Sequence, residues 1–336
     1  MYKRQVNNAE DYKYSLVDSE EMLNAVVDYY ADRYNTVIKA DEITAVRGTQ
    51  EGMAHLGMAI LNPGDVVLLP DPGYPVFEAG SYLGGAEVYY YPLLKENNFL
   101  PVIEDIPEDV LNKTKYIVLS YPSNPVGASA PKEMYVKMIE YAKKYNFAII
   151  NDNAYSDIIF DGREGFSFLS LPGAKDVGVE FFSLSKSYNV TGLRISFCIG
   201  NKSIIDAFKL LRSQYDFGMS YPAQKAAIAA LRGPRDSVKA QCAEYQRRRD
   251  ALLNGLRKYG WNVPDSHGTM FVWLPVPEGY TSASFTEALM DKVGVIGTPG
   301  TAFGPLGEGY IRFALTKSAE ELAVIADVIG QSGVLS

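Results

Sequence analysis

Short apolar runs that stop at turn-forming residues recur along this chain, with stretches of helical spacing between them. That alternation narrows the fold more than any other feature. Residues 65–69 (DVVLL), 86–91, 116–120 and 147–151 are such runs, and 132–145 has helical spacing between the last two. Strands buried on both faces read as continuous apolar stretches. Strand–helix–strand order requires crossovers, and so a mostly parallel sheet with helices on both faces. The expected class is α/β. Its 336 residues leave room for about two domains.

The flanking segments extend the pattern. Residues 18–33 predict a helix: Asp18 stands at the cap, Glu21 at the capping-box position, and Met22, Val26, Tyr29 and Tyr30 share a face. A strand at 43–46 and a helix at 50–61 follow, and Asn62-Pro63-Gly64 stops that helix. Beyond residue 200 the texture changes. Helices are expected at 203–216, 222–231, 236–259 and 318–329, and strands at 270–274, 294–296 and 309–315. The reading is a large domain, 1–245, and a smaller α+β C-terminal domain, 246–336, entered through the long helix.

Composition removes several function classes. The net charge is -8, from 32 basic and 40 acidic residues, which disfavours non-specific binding to nucleic acid or an anionic membrane. No apolar run approaches the ~20 residues of a membrane span, and the opening residues have no apolar core of a secretory signal. The expectation is a cytoplasmic protein with neither nucleic acid nor membrane as partner. Cys198 and Cys242 make no disulfide framework, and with only His55 and His267 beside them a zinc site is not expected.

The residues that suggest chemistry lie just past the strands. Ser183-Leu184-Ser185-Lys186 follows an apolar run at 178–182, and Arg194 comes eight residues later. A lysine whose amine can lose its proton forms a Schiff base with a carbonyl cofactor, and two hydroxyls with an Arg suit a phosphate. Alone, the motif fits a solvated loop equally well. Asp152 and Tyr155 end the run at 147–151, where open α/β sheets bind ligands; a strand-end turn is the other reading. Asn124, between two prolines, is held toward a cleft or in an ordinary turn. Gly48-Thr49-Gln50 bridges a strand and a helix, where backbone N–H groups suit an anion. Tyr74 offers a ring for stacking or for packing. Arg312 sits in an apolar strand and needs a carboxylate partner, from the protein or from a substrate.

Taken together, in this order and spacing, these motifs resemble the class I/II aminotransferases, fold-type-I enzymes that use pyridoxal 5′-phosphate. The likeness runs from about Tyr14 to the C-terminus. The resemblance implies that Lys186 condenses with the cofactor aldehyde, Asp152 pairs with its ring nitrogen, and Tyr155 and Asn124 bond its phenolic oxygen. Tyr74 would stack on the ring. Gly48, Thr49, Gln50, Ser183, Ser185 and Arg194 would surround the phosphate, and Arg312 would grip the substrate α-carboxylate. Tyr14 looks like the tyrosine that reaches the neighbouring subunit's phosphate, which implies a homodimer with shared active sites. The family's N-terminal arm and glycine-bearing loop are not recognisable ahead of it. The implied reaction is a transamination between an L-amino acid and a 2-oxo acid. Residues 48–56 and 70–77 are most similar to the LL-diaminopimelate aminotransferase group, with an aspartate or alanine type also open. A pyridoxal phosphate-dependent carbon–sulfur lyase and a non-catalytic aminotransferase-like sensor are alternatives on the same scaffold. His55 and His267 are expected to pack or to sit in a solvated turn.

Overall fold

The computed structural model describes residues 8–335. Seven strands make the main sheet: β1 (Ile43–Val46), β2 (Val66–Asp71), β3 (Glu87–Pro92), β4 (Thr114–Ser120), β5 (Ala148–Asn153), β6 (Gly178–Ser183) and β7 (Ser196–Gly200). Their order is β1-β7-β6-β5-β4-β2-β3. Neighbours from β3 through β6 are parallel, and β7 runs antiparallel to both β6 and β1. The chain leaves β2 outward to β3 and returns to β4 on the other side. That reversal opens a crevice at the carboxyl ends of β2 and β4, the usual ligand position in such sheets.

The longer helices are α1 (Glu20–Tyr34), α2 (Thr49–Ile60), α3 (Phe77–Gly84), α4 (Lys132–Tyr145), α5 (Lys202–Tyr215), α6 (Tyr221–Leu231), α7 (Asp236–Lys258), α8 (Ser282–Val293) and α9 (Ala319–Gln331). Alternate residues of each strand point to opposite faces, and the sheet's two cores follow that rule. Ile149, Phe182 and Phe197 pack with α1, α4 and α6, whereas Ile150, Phe181 and Cys198 pack with α2, α3 and α5. A further core forms around a three-stranded antiparallel sheet of β8 (Phe271–Pro275), β9 (Thr298–Pro299) and β10 (Tyr310–Ala314), in the order β8-β10-β9. Leu253, Leu256, Trp261, Phe285, Ile311 and Ile329 fill it. Among the described residues, no helix is long and apolar enough to cross a membrane.

Two local expectations change. Ser19, not Asp18, caps α1: its side chain accepts the Met22 N–H at 3.4 Å, while Asp18 accepts the Ala45 N–H of β1 at 2.8 Å. The strand expected at 294–296 is absent, because Gly294 adopts a left-handed conformation (φ 67) that terminates α8, and pairing with β10 starts at Thr298. The sequence pattern alone predicts no element at β7, β9, α3 or α8.

Candidate active site

The carboxyl end of β5 delivers Asp152. Its side chain is buried and its Oδ1 has no hydrogen-bond partner. Burial pushes the carboxyl up to about 7, although the Ala154 N–H and the charge of Lys186 pull it down. Lys186 lies one strand over, in the helical turn Leu184–Ser187 that follows β6. Its half-buried amine is held below the ordinary lysine value by burial first and by Arg194 second, against the opposite pull of Asp152. Its carbonyl, near the end of that turn, accepts a hydrogen bond from Gln241 Nε2 of α7 at 2.5 Å. Tyr155 is buried beside them: desolvation, then Asp152 and Tyr74, push its phenol up, and Arg312 opposes them. These mutual influences bring Asp152, Tyr155, Lys186, Arg194, Tyr74 and Arg312 into one neighbourhood.

One end of this neighbourhood suits an anion. Gly48 precedes α2 with φ 98, and a Cβ there would collide with the Arg194 guanidinium. The guanidinium therefore lies against the Gly48 backbone, where only glycine permits the approach. No side chain caps α2, so its first N–H groups remain open to a negative charge. Thr49 is half-buried and Gln50 exposed on that first turn. Ser183 Oγ accepts the Ser185 N–H at 3.2 Å and the Ser196 hydroxyl at 2.8 Å, which leaves its own proton to donate.

The other end suits a carboxylate. Arg312 of β10 lies between the rings of Phe271 and Phe303, 4.0 and 4.5 Å from their centroids. Its Nη1 donates to Asn124 Oδ1 at 2.8 Å, and its Nε is buried without a hydrogen-bond partner. No acid among the described residues pairs with it. The Asn124 amide is thereby oriented, with its Nδ2 turned away from the arginine. Tyr74 is half-buried, edge-on to Phe77, and lines a cavity of about 510 Å³ with Phe303 and Gly304.

Tyr14 stands apart from this group: it is 74% exposed and packs edge-on against Phe217. His55 packs, pairing with Glu51 at 2.7 Å and lying against Tyr215. His267 is half-buried, 3.3 Å from Ser129 Oγ. Sequence reasoning missed Phe271, Phe303, Ser196, Gln241 and the buried Glu180 of β6. Only Glu180 carried a signal, as a lone carboxylate in the apolar run Gly-Val-Glu-Phe-Phe.

Known proteins resemble this chain along most of its length. A family model described as aminotransferase class I and II matches residues 5–329. An LL-diaminopimelate aminotransferase from Dehalococcoides mccartyi is 48% identical over 299 residues, covering 89% of this chain and 77% of that protein. A solved aminotransferase from Staphylococcus aureus matches with a TM-score of 0.95 at 33% identity, over 98% of this chain and 88% of that one. A probable N-succinyldiaminopimelate aminotransferase from Thermus thermophilus matches with a TM-score of 0.92 at 31% identity, over 98% and 89%.

Proposed function

The chain belongs to the class I and II aminotransferases and transfers amino groups, and on that premise we propose that it uses pyridoxal 5′-phosphate to exchange an amino group between an LL-diaminopimelate-type amino acid and a 2-oxo acid. The single observation that carries the cofactor reading is the buried, unpartnered Oδ1 of Asp152 beside a lysine of depressed proton affinity. An ionised carboxylate there favours a protonated ring nitrogen. When bound, the cofactor supplies an electron sink for the pair left on the substrate Cα.

The chain's own groups do the rest. The Lys186 amine, its proton affinity lowered by burial and Arg194, takes the Cα proton as general base. Asp152, ionised, would accept the N–H of the ring nitrogen at its Oδ1. Tyr155 and the Asn124 Nδ2 would donate to the phenolic oxygen, and Tyr74 would stack on the ring. Gly48, Thr49, Gln50, Ser183, Ser185 and Arg194 would hold the phosphate. Arg312, with its open Nε, takes the α-carboxylate through paired N–H donors. Tyr14 belongs to the site of a second copy, in a cytoplasmic homodimer. Separate cores support a division into a cofactor-binding domain, 1–245, and a small domain, 246–336. The substrate class rests on the similarity to the relative named for LL-diaminopimelate.

The test is a cofactor titration followed by an amino-donor screen with 2-oxoglutarate. The expected result is visible absorbance on adding pyridoxal phosphate, its loss on adding LL-diaminopimelate, and a borohydride label on Lys186. No absorbance retained by the protein once free cofactor is removed, or a label elsewhere, overturns the reading.

A further inference from the structure

We propose that Glu180 is a positioning residue: from the opposite face of the sheet its carboxylate clamps the end of β5 and keeps Asp152 aimed into the site. The proposal rests on the cofactor reading above. Glu180 is 0% exposed, in a strand whose neighbours Val179, Phe181 and Phe182 are equally buried. It faces away from the cofactor groups. Val179 and Phe181 join the core on the α2 side, whereas Phe182, in register with Glu180's face, joins the core on the α1 side.

Four donors converge on this carboxylate and none is a cation. Tyr30 Oη of α1, Ser167 Oγ and the Phe168 N–H each approach at 2.8 Å, and Asn151 Nδ2 at 2.9 Å. A carboxylate has about four acceptor positions, and Asn153, two residues beyond Asn151 on the same face of β5, adds a further favourable contact. An apolar side chain would avoid the desolvation cost altogether; a neutral amide fits one way round only, its oxygen on the Phe168 and Asn151 donors and its N–H₂ on the Tyr30 and Ser167 hydroxyls, which can also accept.

Its tether falls next to Asp152. Asn151 pairs with Glu180 across the ladder, and Asp152 pairs with Phe181. Asn151 Oδ1 is fixed in turn by Tyr135 Oη at 3.0 Å. The residue preceding Asp152 is therefore held at both side-chain ends, from β6 and from α4. The titratable groups around Glu180 are Tyr30 and Tyr34 of α1, Tyr135 of α4 and Asp152 of β5. Glu180 acts on Asp152 through charge as well, supporting its hold on a proton.

Three variants test this: Glu180→Gln, Asn151→Ala, which cuts the tether and leaves the carboxylate three donors, and Tyr30→Phe, which removes a donor and keeps both tether and charge. Each is titrated with pyridoxal phosphate, the pH at which its bound-cofactor absorbance changes is recorded, and its melting temperature is measured without cofactor. Asn151→Ala is expected to weaken cofactor binding by about tenfold and to move the absorbance transition; Glu180→Gln, which keeps an acceptor for Asn151 and removes the charge, is expected to move the transition with a smaller loss of affinity. Tyr30→Phe is expected to stay within about twofold. If Glu180→Gln does not fold, Asn151→Ala decides. Unchanged affinity and transition in every folded variant, with only the melting temperature lowered, would reduce Glu180 to scaffold. Failure of the unsubstituted protein to bind cofactor would instead overturn the functional reading, and this proposal with it.

Discussion

Asp152 and Glu180 lie on adjacent strands and face opposite sides of one sheet, and the fold provides for them in opposite ways. Burial raises both carboxyls. Glu180 receives four hydrogen bonds, whereas Asp152 keeps an oxygen buried and unpaired. Leaving such a group unsatisfied costs on the order of 1–3 kcal/mol. The same contrast separates two arginines. Arg249 is bound by Asp161, Asp250 and the Ser266 carbonyl, while Arg312 has one protein acceptor and an idle Nε. Glu180 and Arg249 are satisfied by the protein itself, whereas Asp152 and Arg312 each keep a buried polar atom without a protein partner.

Glu180→Ala should have the largest effect. Four buried donors lose their acceptor, and chemical denaturation should show a loss of ~3–5 kcal/mol. A loss below about 1 kcal/mol would break the contrast.

Asp152→Asn should behave oppositely. It should lower amino transfer on the order of 10²-fold while leaving the cofactor-free protein at least as stable. The pH dependence gives the sign. Because the folded carboxyl sits at about 7 against an ordinary 3.8, the folded state binds the proton more tightly than the unfolded state. Its contribution is complete below the ordinary value and fades as pH rises toward 7. The cofactor-free protein should therefore melt at a lower temperature at about pH 8 than at about pH 5. Asn should flatten that slope only in part, since Glu180, Asp18 and Asp71 are raised in the same direction by burial.

Arginine replacements sharpen the comparison at smaller scale. Arg312→Lys should raise KM for the amino acid about tenfold, because the paired fork is lost, with little change in melting temperature. Arg249→Lys should lower the melting temperature and leave KM alone. Steady-state kinetics and calorimetry on the two variants decide it.

Much of this was legible in the sequence. Residues 43–46 and 132–145 match β1 and α4, where propensity, burial and chain breakers agree. The site motifs were legible because they sit in loops directly after apolar runs. Strand direction was not: nothing local in Ser196–Gly200 tells that β7 runs against β6, since pairing depends on the connection. The choice of Ser19 over Asp18 as cap turned on β1 drawing Asp18 away. Whether Arg312 answers a protein acid was open in the sequence, because only the assembled space shows that none approaches. Glu180 stood out as a charge among apolar neighbours, but its donors come from α1, β5 and residues 167–168, which no spacing rule connects.

The bond from Gln241 to the Lys186 carbonyl has a mechanical meaning. The helix that bears Gln241 runs on into the core built by Leu252, Leu253 and Leu256. A tilt of that rod would pull directly on the peptide unit that carries the Lys186 side chain.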